Sequence, residues 1–257
     1  MRFSLRLQLC SVEKNHLLPI NYQYELSAAI YRILSQSDDA YATWLHENGF
    51  EVDNKKFKLF TFSNLQIPRY EIDKEQGRLK ILSDEVFLKI GFLPDRSTKE
   101  FIKGVFNKQC FSIGDRVSKV DFIVRDIELF SEEKFSEIET FRTLSPVVVS
   151  LRNDVGRHEY IRPDHPSYMK GIITGLKSRY RAYYGKDYEG DFACAFRLLD
   201  NPKSSLIKIK ADTPQQTYVR GYRYRFTLSL PAPLMQIAYE SGFGEKGSLG
   251  FGMIERG

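Results

Sequence analysis

The strongest constraint on this chain is an order of hydrophobic periods that occurs twice. It opens on MRFSLRLQL, where Phe3, Leu5, Leu7 and Leu9 alternate with Arg2, Ser4, Arg6 and Gln8. A strict period of two puts one set on each face of a half-buried strand. The period then changes: Leu26, Ile30 and Ile33 recur at i, i+4 and i+7, the stripe of a helix over residues 22–35 with Asn21 as its N-cap. A short helix is predicted from Asp38-Asp39 to Glu47, then strands over residues 57–63, 65–70 and 78–83. A third helix is read from about residue 84, carrying Val86, Phe87, Ile90 and Phe92, before a long alternating strand over residues 117–129. The second half follows the same outline. A Val-rich strand at residues 146–152 precedes a helix at 163–184 striped by Tyr168, Ile172, Ile173 and Leu176. Strands at 192–199, 205–211 and 221–230, a short helix at 233–239 and a strand at 251–255 complete it.

Strand, helix, strands, helix, strand is the order of a ferredoxin-like α+β unit. The chain is therefore expected to hold two such units in tandem, giving two antiparallel sheets with helices packed on one face of each. Its 257 residues leave room for both cores. The acidic, weakly patterned SEEKFSEIET, residues 131–140, is the expected linker, so the domains are expected at 1–140 and 141–257.

Charge follows that division. Residues 1–140 carry 20 Lys and Arg against 22 Asp and Glu, a net −2; residues 141–257 carry 18 against 11, a net +7. Such asymmetry suggests a polyanion partner for the second half, although a solubilising surface would carry the same charge. Other classes find little support. No window reaches the ~18 apolar residues of a membrane-spanning helix, and the N-terminus lacks the apolar block of a secretory signal. Cys10, Cys110 and Cys194 are far apart with no C-x-x-C spacing, which argues against a disulfide framework or structural zinc and fits a reducing cytoplasm. His158 and His165 flank Pro163 and Asp164 without a third ligand at a defined spacing, so no metal or other cofactor is expected. There is no G-x-S-x-G elbow.

The segment GFGEKGSLGFG holds Gly242, Gly244, Gly247, Gly250 and Gly252, with Lys246 in its middle. Five glycines in eleven residues leave backbone N–H groups open to an approaching ligand, so the segment can cradle phosphates, or serve as a turn-rich connector. It is neither a dinucleotide fingerprint, which opens a helix after a first strand, nor a Walker loop, because no Gly-Lys-Ser/Thr triplet is present.

The string GFGEKGSLGFGMIE resembles the C-terminal glycine-rich motif of the CRISPR-associated repeat-processing endoribonucleases of the RAMP superfamily. MRFSLRLQL, PINYQYELSAAIYRIL and KLFTFS are also similar to this family, so the resemblance covers nearly the whole chain. It implies two tandem ferredoxin-like domains and a metal-independent endoribonuclease that cleaves within the repeat of CRISPR precursor RNA to release guide RNAs. The 2′-hydroxyl beside the scissile phosphate is the nucleophile, and the products carry a 5′-hydroxyl and a 2′,3′-cyclic or 3′ phosphate. The alternative is a non-catalytic repeat-RNA-binding protein of the same fold, within a CRISPR effector complex. A third option is a general RNA-binding ferredoxin-like protein. A monomer or homodimer is expected, with no membrane partner.

The family's Tyr–His–Lys set carries over to Tyr31, His46 and Lys58, with Lys55 and Lys56 of the NKKFK turn as alternatives to Lys58. Tyr31 lies about 140° from the Leu26 edge of its helix at roughly 100° per residue, so it leans out of the core. His46 follows Leu45 and can face a surface cleft. RNA contacts are expected from the glycine loop with Lys246, and from the basic second half. In LKSRYRAYYGK, Lys177, Arg179 and Arg181 interleave with Tyr180, Tyr183 and Tyr184, a mixture suited to unpaired RNA. Lys203, Lys208 and Lys210 extend this set, and Arg220, Arg223 and Arg225 are expected on one face of a single strand. The resulting expectation is binding by the basic half and cutting by the near-neutral half.

Overall fold

Strand β1, Arg2–Leu9, forms where the alternation places it and buries Phe3, Leu5 and Leu7 completely. The computed structural model to which it belongs describes residues 1–10, 16–131, 133–152, 156, 158–190, 192–211 and 213–257. Helix α1, Gln23–Ser35, buries Leu26, Ile30 and Ile33 as its stripe, and α2, Asp39–Glu47, starts where the Asp38 carboxylate accepts the Tyr41 N–H at 2.9 Å. Among the described residues no helix is long and apolar enough to cross a membrane.

Five strands build the first sheet: β1, β2 (Phe60–Phe62), β3 (Glu85–Phe92), β4 (Cys110–Gly114) and β5 (Lys119–Leu129). Their spatial order is β2-β3-β1-β5-β4, all antiparallel. Residues 84–92 are thus a central strand, not the predicted helix. Val86, Leu88, Ile90 and Phe92 are buried at a period of two, and their cross-strand neighbours on β1 and β2 decide the matter. The helix belongs instead to Asp95–Asn107, α3, which begins after Pro94 and buries Phe101 and Val105. It crosses α1 so closely that a Cβ on Gly104 would stand 1.9 Å from the Ile33 carbonyl oxygen.

The second sheet contains β6 (Glu139–Thr143), β7 (Ala195–Leu198), β8 (Arg225–Ser229) and β9 (Ile254–Arg256) in the order β7-β8-β6-β9. Helices α4 (Tyr168–Tyr184) and α5 (Ala232–Ser241) pack with it through Tyr168, Ile172, Leu176, Leu234 and Ile237. With β4 set aside, both sheets place the first strand between the fourth and the third, with the second outermost. This is the ferredoxin-like order, twice, in an α+β chain. The second unit starts earlier than the Val-rich run. Glu139, inside the expected linker, is buried beneath Arg256 and opens β6, whereas Ser150–Arg152 only pairs with His158–Tyr160 in a side ribbon. The predicted strand at 221–230 is also two strands. Thr217–Arg223 forms a hairpin with Lys203–Ile209, and β8 resumes after Tyr224 in the main sheet.

The two units are joined through buried polar contacts. Arg2, only 4% exposed, reaches from β1 into the second unit, where it donates to the Ile254 and Tyr239 carbonyls and lies 3.3 Å from the Tyr239 ring centroid. Burial pulls its guanidinium down to about 10, still charged at neutral pH. Lys89 of β3 pairs with Glu255 of β9 beside it. Replacing Arg2 with Ala orphans two buried carbonyls, and the expected loss is about 2–4 kcal/mol in urea denaturation. Arg2→Lys should recover little of this, because one ammonium lacks the planar fork that spans both oxygens.

Candidate active site

Three elements of the first unit bring Tyr31, His46 and Lys58 together. The Tyr31 ring of α1 meets the His46 ring of α2 edge-on, with centroids 5.0 Å apart, and also touches Phe60 of β2. Lys58 arrives on the segment between the hairpin Phe50–Val52/Lys55–Phe57 and β2, and its Nζ donates to the His46 carbonyl at 2.6 Å. Gly49 makes this approach possible. It sits at φ +65°, and a Cβ there would meet the Phe57 carbonyl at 2.5 Å and the Lys58 side chain at 3.1 Å. The carbonyls at the end of α2 favour a cation, and Lys56 Nζ likewise reaches the Glu47 carbonyl at 3.1 Å.

The environments of the three differ. His46 is exposed. Tyr31, expected to lean out of the core, packs partly buried against it, and this burial raises its phenol well above the ordinary tyrosine value, although a hydrogen bond with the Ser248 side chain opposes the rise. Loss of hydration, and secondarily the neighbouring Lys56, pull Lys58 below the ordinary lysine value.

Ser248 belongs to the glycine-rich segment, so that loop sits against the trio. It forms a short 3-10 turn, Gly247–Leu249, seated on α1 and β2: the Ser27 hydroxyl donates to the Ser248 carbonyl at 2.6 Å, and Thr61 Oγ1 donates to the Phe251 carbonyl at 3.0 Å. Its glycines serve close packing more than open access. A Cβ on Gly247 would stand 2.7 Å from the Phe60 carbonyl, one on Gly244 2.6 Å from the Val148 carbonyl, and one on Gly250 2.5 Å from the Phe62 ring. Gly242, Gly244, Gly250 and Gly252 all have positive φ, as does Lys246 at φ +60°. Several amides expected to face a ligand are used internally, those of Gly242, Glu245, Gly250 and Gly252 donating to Ala238, Val148, Gly247 and Pro146 carbonyls. Between the glycines, Phe243 stacks on Phe226 at 5.1 Å in the second core, and Phe251 is buried with Val148, Ile209 and Val219. The repeated Gly-Phe-Gly is an anchor at each end of the loop, and its repetition is the signal in the sequence that marks both anchors.

A cleft of about 960 Å³ opens between the units. Lys55, Lys56 and Lys58 line one wall, Lys170 and the polar face of α4 another, and Gly244 to Ser248 the floor. On its far side the Glu245 carboxylate accepts the Ser150 amide at 2.7 Å and lies 3.0 Å from the Ser150 hydroxyl, which is 3.0 Å from His158 Nδ1. Lys170, His158 and Glu245 lie outside any basic run, and only the fold brings them to the cleft. Among the described residues no group of three His, Cys, Asp or Glu is arranged to hold a metal ion.

The expected RNA-contacting cations divide in two. Arg179 is not on the exposed face: two residues from Lys177 on a helix is the opposite side, and Arg179 continues the Ile172–Leu176 stripe. At 5% exposure it donates to the Ser241 and Gly242 carbonyls at 3.2 and 2.5 Å, pinning the root of the glycine loop, while burial lowers it to about 10. Lys177 and Arg181 are exposed, the latter paired with Asp53 and Asp187. Lys203, Lys208, Lys210, Arg220, Arg223 and Arg225 lie on the second unit outside the residues lining the cleft; the three arginines do not share a face, because Arg220 and Arg223, three residues apart, point to opposite sides of one strand and the break at Tyr224 puts Arg225 on another.

Comparison with known proteins agrees with this architecture along the whole chain. Residues 17–128 match the family model of the CRISPR-associated protein Cas6 N-terminal region, and residues 130–256 match that of the CRISPR associated protein Cas6 C-terminal region. The CRISPR-associated endoribonuclease Cas6 1 of Methanocaldococcus jannaschii is 29% identical over 99% of this chain and 93% of its own. A solved structure of a Cas6-related gene product from Pyrococcus furiosus superposes with a TM-score of 0.82 at 28% identity, covering 100% of this chain and 98% of that one. Another, described as a RAMP protein binding different RNA substrates, gives 0.81 at 26% identity over 100% and 99%. With both halves matched and the tandem fold shared from end to end, the chain belongs to the CRISPR-associated Cas6 endoribonuclease family.

Proposed function

We propose that this protein, acting in the cytoplasm, cuts within the repeat of CRISPR precursor RNA to release guide RNAs, without metal. The 2′-hydroxyl attacks the adjacent phosphate and leaves a 5′-hydroxyl and a 2′,3′-cyclic or 3′ phosphate. The observation that carries this reading is the convergence of Tyr31, His46 and Lys58 from three separate elements, with Lys58 also lining the cleft beside Lys55 and Lys56. Such chemistry needs a proton acceptor, a proton donor and a cation for the phosphorane charge. His46 is the proton-exchanging group, its exposed imidazole free to meet the scissile nucleotide. Lys58 uses one N–H on the His46 carbonyl, which leaves two for phosphate oxygens. Tyr31, kept protonated by burial, is a hydrogen-bonding group that orients the reacting nucleotide and not a general base.

Repeat RNA incubated with the protein in EDTA should yield a discrete cut. His46→Ala should slow single-turnover cleavage by about 10²- to 10⁴-fold while RNA affinity stays within a few-fold. Undiminished cleavage would remove His46 from the chemistry, and tight binding without product by the unmodified protein would favour the non-catalytic binder.

Tyr31→Phe tests the protonation argument. A phenol raised above its reference value of about 10 is protonated throughout the neutral and mildly alkaline range. The variant should therefore be slower, with the same slope of rate against pH between about pH 7 and 10 as the unmodified protein. Loss of an alkaline limb in the variant would show that Tyr31 titrates in the reaction.

A further inference from the structure

One feature outside the cleft is a continuous run of aromatic rings across the junction of the two units. On the first unit, Tyr41 stacks on Trp44 with centroids 5.6 Å apart, and Trp44 meets Phe50 at 5.3 Å. Phe50 then touches Tyr183 of α4 at 6.0 Å, which crosses to the second unit. From there Tyr183 meets Tyr184 at 4.8 Å, Tyr184 meets Tyr180 at 4.6 Å, and Tyr180 leads through Tyr188 at 5.2 Å to Phe192 at 5.8 Å. Every step is within aromatic contact distance. Most of its rings pack against the cores, Tyr41 at 4% exposure, but two break the surface: Trp44 is 37% exposed and Tyr184 48% exposed.

Cations stand at both ends. The Arg96 guanidinium lies 4.4 Å from the Tyr41 ring centroid, and Lys177 Nζ lies 5.3 Å from that of Phe192. Arg181 projects from the same stretch of α4. Arg96 and Arg181 are held by exposed ion pairs with Asp38, Asp53 and Asp187, worth little in water and open to exchange for phosphate. Lys177 has no ion-pair partner among the described residues. Phe50 belongs to the hairpin that also bears Lys55 and Lys56, two lysines of the cleft wall. Exposed rings offer π-faces to unpaired bases of any identity, while flanking cations follow the phosphates. A duplex, with its bases already stacked, gains nothing from such a surface.

We infer that this aromatic run is a stacking site for an unpaired segment of the RNA substrate, extending recognition from the cleft across α2 and α4. The inference rests on the RNA-cutting function proposed above. The chain has a single tryptophan, Trp44, so its fluorescence reports on this site alone. Binding of a repeat RNA carrying a 2′-deoxy substitution at the cut site, followed in parallel by anisotropy of a 5′-dye on the RNA, should quench Trp44 emission and reduce its accessibility to acrylamide at the same midpoint. Tyr184→Ala, an exposed position, should raise the Kd about 5- to 20-fold, the size expected for one lost base–aromatic stack. The same RNA closed into a fully paired hairpin should bind without quenching.

If anisotropy reports saturation while Trp44 emission and acrylamide quenching stay unchanged, and Tyr184→Ala binds as tightly as the unmodified protein, the run is interdomain packing and the inference is wrong. The unsubstituted RNA cut in EDTA keeps the two readings apart. Product without a Trp44 response overturns the stacking site alone, and a Trp44 response without product overturns the cleavage reading alone.

Discussion

The arrangement of the site depends on how closely the glycine-rich loop seats on strand β2. Three contacts set the distance: Gly247 against the Phe60 carbonyl, Gly250 against the Phe62 ring, and Thr61 Oγ1 to the Phe251 carbonyl at 3.0 Å. At the first two a Cβ would fall inside van der Waals contact, 2.7 and 2.5 Å from its neighbour, so the loop can reach β2 only as bare backbone. That approach carries Ser248 to Tyr31 and forms the floor of the cleft. A loop displaced by the width of one methyl group would open a gap between the units beside Tyr31 and Lys58.

Two buried arginines hold the loop and its neighbours in register. Arg2 fixes the start of the first unit to backbone carbonyls of α5 and β9, and Arg179 fixes the end of α5 to α4. Both guanidinium groups give up hydration, and burial draws both down to about 10. At Arg2 the compensation comes from geometry, Nη1 and Nη2 of one planar fork each meeting a carbonyl where an ammonium acts as a point charge, whereas Arg179 meets the Ser241 and Gly242 carbonyls through Nη1 alone. Carbonyls left over at the end of α5 are among the acceptors, so the charges also answer the helix dipole. The same helix end leads directly into Gly242 and the loop, so one pin serves both the interface and the site.

Much of this was legible from residue order. The alternation of β1, the α1 stripe and the doubled strand–helix rhythm all rest on local periodicity, which survives folding because each element has one wet and one dry face. Residues 84–92 were not legible, since EVFLKIGF is buried enough to satisfy either period and only its neighbours β1 and β2 decide. Glu139 was hidden for the opposite reason: its acidity reads as linker until Arg256, far along the chain, neutralises it inside the sheet. Arg179 was available in principle, because helical spacing puts it on the stripe with Ile172 and Leu176, but basic composition outweighed periodicity. The glycines were noticed for access when their stronger constraint is contact, and the partners that impose it, Phe60 and Phe62, are about 190 residues away.

The charge distribution shows the same difference between composition and placement. A net +7 in the second half suggested that this half binds while the other cuts. The cleft draws on both halves: Lys55, Lys56 and Lys58 come from the near-neutral one, and Arg152, Lys170, Arg179 and Lys246 from the basic one. Net charge sums over a whole surface, whereas attraction at a phosphate depends on the few cations within about one Debye length, roughly 8–10 Å. Acidic residues elsewhere on the first unit cancel its lysines in the total without cancelling them at the cleft. The basic residues of the Lys203–Ile209 hairpin lie away from the cleft wall and enter the total without standing at the cleft. Each unit supplies one wall of the cleft, and the loop of the second completes the environment of the tyrosine in the first.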